Sequence, residues 1–518
     1  MMTATDKDND DRIRRDSVSV VDYSHQPDPA HGSSNITVAT FNLVATIVGG
    51  GVLSLPFAFS KCGGALYGLA WMLLAAICTD QSCVWLCWCA RPVITTTSDD
   101  PDLQHRLMLS SYGQVGKAAF GDILEVAISA LLFVFLVFVL IAYMVLVKDI
   151  WTPLIIRLFL HSQQTDIQSA TVSQAQRDAY WGPYVLLAIV LFMTPFLVQR
   201  TLHALRFNCY IGFASVSILC IALVQHALQQ ETSSTHNNIL LTRDFWTRPP
   251  ESARDVIIAF PIIMLSYLCH FNVNPVQKAL VDPTPARVHQ VIHGAMLACG
   301  VLMTVFGIAG YAYVLGADNA ENAVVQGNIL LNCEEQQERI GQVDVILLLG
   351  RLGCGTTIML AMAMMLLPCR DSLLEVLDIF FFRNDNPPTA DNNTNKDHPH
   401  EMSPLVFPDN DCSKTPPPSL SDNEWVHYTA TVLIVAVCYV TAVKVPGVQI
   451  VWSLCGSSMA FTIAFILPAA CYLQMIHRRE AEQQEPMVSL PSKILAWIVL
   501  IVSILAAIVC TIQTIQSI

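Results

Sequence analysis

Long apolar runs, each wide enough for roughly 30 Å of hydrocarbon, repeat along the chain with short polar breaks between them. They fall near 36–60, 64–90, 120–147, 180–199, 206–227, 254–275, 291–316, 342–368, 426–445, 448–476 and 491–515, and predict about eleven transmembrane helices. Two runs are interrupted. In the first, Gly49, Gly50 and Gly51 are consecutive; each glycine costs a helix roughly 1 kcal/mol relative to alanine, so the helix is expected to break there. In the sixth, Pro261, Ser266, His270, Asn272, Asn274 and Pro275 place helix breakers and polar groups in an otherwise apolar segment. Interrupted helices at matching positions of two five-span groups, with one span left over, point to an inverted-repeat secondary transporter with its site at mid-membrane.

Unwound backbone at membrane depth persists only where it faces protein, water or a solute. A half-helix that starts there aims free N–H groups and a positive dipole end into the gap, while one that stops leaves carbonyls open. The amides of Val48, Gly49, Gly50, Gly51 and Val52 are therefore the expected seat for an anionic group such as a carboxylate. The carbonyls of Ser266, Tyr267, Leu268 and Cys269 are the expected acceptors for a cationic group such as an ammonium. A glycine seam for close helix packing is the bland alternative.

Composition agrees with a membrane chain: 53% of the residues are hydrophobic and 13% charged, against roughly a quarter charged in soluble domains. The net charge of −13 argues against a nucleic-acid partner; the expected partners are a small solute and the bilayer. Basic residues such as Arg12, Arg91, Lys117, Arg206, Lys278, Arg370 and Arg478 gather in alternate loops, which sets the amino terminus in the cytosol. The opposite loops, with Asp166, Asp178, Asp318, Glu321, Glu334, Glu335 and Glu338, are acidic. Residues 1–32 and the Pro- and Asn-rich loop 384–423 are too polar to fold alone and are expected to be disordered. They flank helical blocks at 33–383 and 424–518. The Asn-x-Ser/Thr matches at Asn35 and Asn392 fall on the cytosolic side. No HExxH or Ser/His/Asp signature of a membrane enzyme is present. Most cysteines lie in the spans as small apolar fillers. Cys83, Cys87 and Cys89 lack the second pair or neighbouring histidine of a metal site, and no cofactor beyond a coupling ion is expected.

Particular residues carry a resemblance. Phe41-Asn42-Leu43, Ile47 to Leu53 and Leu55-Pro56 resemble the first helix of the amino acid/auxin permease family, and within it the sodium-coupled neutral amino acid transporters and related vacuolar amino acid transporters. Tyr267 to His270 before Pro275, Arg351-Leu352 with Pro368-Cys369-Arg370, and Phe465 to Pro468 with Tyr472-Leu473 resemble its sixth, eighth and tenth helices. The resemblance implies a leucine-transporter-like fold, five plus five inverted spans and one more, that moves amino acids by alternating access. It also implies a test for sodium, whose site in such relatives takes oxygens from the first and eighth helices. Asn42 stands at one family asparagine and Thr46 replaces another, while Met359 and Ala361 stand where hydroxyls are expected, with Thr356 and Thr357 about one turn away. Protons become the stronger coupling ion, with Asp80 and His270 as the intramembrane titratable candidates. The expected activity is secondary transport of neutral amino acids, coupled to H+ or Na+, at the plasma membrane or a vacuolar or lysosomal membrane. The alternative is an amino-acid-sensing receptor on the same scaffold.

Overall fold

A computed structural model describes residues 34–92, 107–160, 174–199, 207–233, 240, 242–250, 252–317, 324–340, 344–382, 423–481 and 489–517. The amino-terminal segment and most of loop 384–423 lie outside the described residues, as do Asn392, Asp166, Asp318 and Glu321. Among the described residues the protein is all-α, with ten helices of membrane length and one bent pair.

The bent pair is the first span: Ile36–Ile47 and Gly50–Cys62 meet at 47°. The spans that follow are Ala65–Cys89, Asp122–Leu160, Gln174–Leu197, Asn208–Ser233, Ala253–Ala279, Pro285–Ala317, Val345–Phe382, Glu424–Lys444, Val448–Ala481 and Leu490–Ser517. These are the eleven expected from the apolar runs. The sixth divides into Ala253–Ser266 and His270–Ala279 around a non-helical link, so the two interrupted spans stand first and sixth, as a five-plus-five arrangement requires. The end of the bundle where Ile36 begins is called the near face and the opposite end the far face.

Local chemistry fixes the ends. Asn35 caps the first span by accepting from the Val38 N–H at 2.9 Å. Between the first and second spans the chain turns through Gly63 and Gly64, at φ +108° and +97°. A Cβ on Gly64 would also stand 2.8 Å from the Phe245 carbonyl oxygen, so only glycine fits that turn. The four spans nearest the site hold one another: the seventh packs on both halves of the first and on the second, and the near half of the sixth packs on the first and second. The eleventh span instead turns Ile494, Trp497, Ile501, Leu505 and Ile508 outward, an apolar surface suited to lipid.

Three features differ from the sequence reading. A capped helix, Tyr112–Phe120, lies between the second and third spans. The tenth span contains widened π-type turns at Gly456–Ala460 and Thr462–Ile466; there a Cβ on Gly456 would stand 2.4 Å from the Pro261 carbonyl oxygen of the sixth span. On the far face, Ile329–Ile340 is a helix rather than an open acidic loop. Glu334, expected to face outward, is buried and paired with Arg351 of the eighth span. Arg351 also donates to the Ile150 carbonyl at 3.2 Å. Buried charge without such a partner is far costlier than exposed charge, so each of the two buried side chains depends on the other.

Candidate functional site

The first-span break is short and specific. Helix Ile36–Ile47 ends at Val48, whose N–H returns to the Val44 carbonyl. Gly49 is extended, with φ −127° and ψ −159°, and donates to the Ile47 carbonyl at 2.9 Å. A tight 3-10 turn then runs Gly50–Ser54. Val52 donates to the Gly49 carbonyl at 3.2 Å. The expected row of five open amides therefore narrows to two without a backbone acceptor, because Val48, Gly49 and Val52 find local ones. The Gly50 N–H faces the Tyr143 hydroxyl, and the Gly51 N–H meets no backbone carbonyl.

The sixth-span break supplies the other polarity. Tyr267 and Leu268 donate back to the carbonyls of Met264 and Leu265, and the Cys269 carbonyl accepts from the Asn272 N–H at 2.9 Å. Cys269 is thereby removed from the expected acceptors. The carbonyls of Ser266, Tyr267 and Leu268 receive no backbone donor among the described residues. The Tyr267 side chain leaves the break, its hydroxyl 3.3 Å from where a Gly300 Cβ would stand on the seventh span. A Cβ on Gly51 would lie 3.9 Å from the Ser266 Cα. The open amides and the open carbonyls are thus neighbours, brought together from positions more than two hundred residues apart.

Side chains that the sequence did not single out complete the surroundings. Tyr143 of the third span presses its ring on Gly50, with Leu146 beside it. Trp452 of the tenth span meets the Tyr143 ring edge-on at 6.3 Å between centroids. The signal for Tyr143 was a single hydroxyl inside the apolar run LIAYMVLV; Leu146 and Trp452 had none.

The ion-coupling candidates do not converge on one point. Thr46 donates to the Asn42 carbonyl at 2.8 Å and accepts from the Asn272 side chain at 2.8 Å, tying the first span to the sixth. Asn42 itself is exposed. Thr356 and Thr357 donate to the Leu352 and Gly353 carbonyls of their own helix, both at 2.8 Å. Thr357 sets its methyl against Gly212 of the fifth span. Asp80 pairs with His293 of the seventh span at 2.6 Å on an exposed face. His270, in contrast, is fully buried, with Nε2 2.7 Å from the Ser82 hydroxyl of the second span.

Comparison with known proteins gives a consistent neighbourhood. The family described as transmembrane amino acid transporter protein matches residues 32–516. Amino acid transporter AVT6E of Arabidopsis thaliana is 21% identical over 93% of this chain and 84% of its own. Vacuolar amino acid transporter 6 of Saccharomyces cerevisiae is 22% identical, over 84% of this chain and 89% of its own. The putative sodium-coupled neutral amino acid transporter 11 of Danio rerio is 22% identical, over 86% of this chain and 81% of its own.

Proposed function

Because the chain belongs to the transmembrane amino acid transporter family, we propose that it carries neutral amino acids across a membrane by alternating access, driven by a proton gradient. The observation that carries this reading is the packing of the two breaks on each other, close enough that a Cβ added at Gly51 would stand 3.9 Å from the Ser266 Cα. Open N–H groups on one side and open carbonyls on the other match the two ends of a zwitterion separated by a single carbon. Glycine at the first break lets the backbone itself approach the solute.

Neutral specificity is supported by the lining. Tyr143, Leu146 and Trp452, together with the backbone of Gly49 to Gly51 and Ser266 to Leu268, bring no charged side chain to the breaks. A substrate side chain carrying charge would be desolvated there without a partner, which is strongly unfavourable. The proton is favoured over sodium because the first-span and eighth-span hydroxyls point to different neighbours. The near face is the cytosolic one on the positive-inside rule, and the home is a vacuolar, lysosomal or plasma membrane.

Uptake of a panel of radiolabelled amino acids into liposomes holding the purified protein, with and without sodium at two pH values, tests the proposal. Saturable, acid-stimulated and sodium-independent accumulation of neutral amino acids is expected. Binding without accumulation would instead indicate a sensing receptor.

A further inference from the structure

Between the second span and the near half of the sixth lies a stripe of buried polar groups that the substrate site does not use. His270, Asn274 and Gln277 follow one another at helical spacing on one face of His270–Ala279, and all three are buried. Two hydrogen bonds pin this face to the second span in parallel register: His270 Nε2 with Ser82 Oγ at 2.7 Å, and Gln277 Nε2 to the Cys87 carbonyl at 3.3 Å. Between and beside these bonds polar atoms are left over. His270 Nδ1, both amide atoms of Asn274, Gln277 Oε1 and Thr79 Oγ1 have no hydrogen-bond partner among the described residues. Buried polar groups in native proteins are nearly always satisfied, so a concentration of exceptions in one helix interface asks for a ligand that pairs with all of them.

The mixture of atoms identifies the ligand. A bare cation would be met by oxygens alone, whereas here amide N–H groups, oxygens and an imidazole nitrogen alternate. Water both donates and accepts, and it bridges sites that offer two to four polar partners. The stripe spans seven residues, about 10 Å at 1.5 Å per residue, and runs from the sixth-span break toward the near face.

In the tautomer where the Ser82 hydroxyl donates to the Thr79 carbonyl, 3.0 Å away, its oxygen accepts from His270 and Nε2 carries the ring hydrogen. Nδ1 is then the bare, basic nitrogen, and it is one of the unpartnered atoms. We propose that this seam binds a file of water and carries the coupling proton to His270 Nδ1. The inference rests on the transporter reading above and deepens it. A proton taken from bulk water on one side converts neutral His270 to imidazolium and is given back to water when the cycle reverses, with no change in oxidation state.

The titratable groups around His270 are few. The second span presents Cys83 and Cys87, the break presents Cys269, whose sulfur is 3.8 Å from that of Cys83, and the short helix Tyr112–Phe120 presents Tyr112. Tyr112 is committed to the Ile463 carbonyl at 2.7 Å, and Asp80 to His293. From the tenth span the Phe465 ring meets the His270 ring, and the first half of the first span carries no titratable side chain.

The test measures two fluxes in liposomes holding the purified full chain: counterflow of radiolabelled neutral amino acids at equal pH, and substrate-dependent proton movement reported by an enclosed pH-sensitive dye. The wild-type protein is expected to show both. Asn274→Leu, Gln277→Met and His270→Gln are expected to keep counterflow within about twofold while proton movement falls at least about tenfold. Counterflow serves as the folding control for each variant. Wild-type counterflow without proton movement would overturn the seam and leave the transporter reading standing. So would unchanged proton movement in Asn274→Leu and His270→Gln, or joint loss of both fluxes in all three variants, which would mark the stripe as structural. Absence of any wild-type counterflow would overturn the transporter reading as well.

Discussion

At Gly50 the packing leaves no room for a side chain, since a Cβ there would stand 2.8 Å from Leu146 Cδ1 and 3.1 Å from the Tyr143 ring. Gly50→Val is expected to reduce uptake at least about 100-fold while membrane insertion is unchanged, as read by flux and by the amount of protein in the membrane. Wild-type uptake by that variant would remove the break from the account. Tyr143→Phe takes away only the hydroxyl that faces the Gly50 amide. It should raise the KM for substrate about tenfold, or about 1.4 kcal/mol. Asp80 belongs at this scale too. Its partner is His293, so Asp80→Asn is expected to retain acid stimulation; loss of that stimulation would move the proton role from His270 to Asp80. The glycines were legible in the sequence because backbone freedom is a property of single residues. Tyr143 and Trp452 were not, because their role depends on which distant helices pack against the break.

The spans were legible for a similar reason: lipid demands an apolar run of fixed length, and that demand is written locally. Elements that answer to tertiary packing were not. The far-face helix Ile329–Ile340 reads as an acidic loop until Arg351 is placed beneath it. Glu334→Gln should leave Arg351 buried without its counter-charge and lower stability by about 3 kcal/mol, seen as a drop in unfolding temperature. Adding Arg351→Met should recover most of that loss. A second link on the far face joins the fifth and eighth spans, His226 to Asp344 at 2.5 Å. Burial raises the Asp344 pKa, but the backbone N–H groups of Leu347 and Ile346 and the His226 ring outweigh it and hold the carboxyl below its ordinary value. A depressed carboxyl stabilises the fold above its unfolded pKa of about 4 and ceases to do so as pH falls through the folded value. The gap in unfolding temperature between the wild-type protein and Asp344→Asn should therefore hold from pH 7 to about 5 and close below about 4. A gap that widened in acid would contradict this.

Across the whole molecule, the fold brings two gaps that lie far apart in sequence together and wraps them with further helices, of which the third reaches Gly50 through Tyr143. Deleting residues 386–422 should leave amino acid flux within about twofold of the full chain, and a misfolded product would show that the loop belongs to the folded body. The claim on which the rest depends is that bare amides hold the carboxylate and bare carbonyls the ammonium. It is tested most directly by competition against uptake of a transported neutral amino acid, using the same amino acid as its α-amide, as its N-acetyl derivative and unmodified. Unmodified amino acid should compete fully, and each capped form should be at least about 100-fold weaker, since each removes one charged end. Equal competition by either capped form would contradict the account.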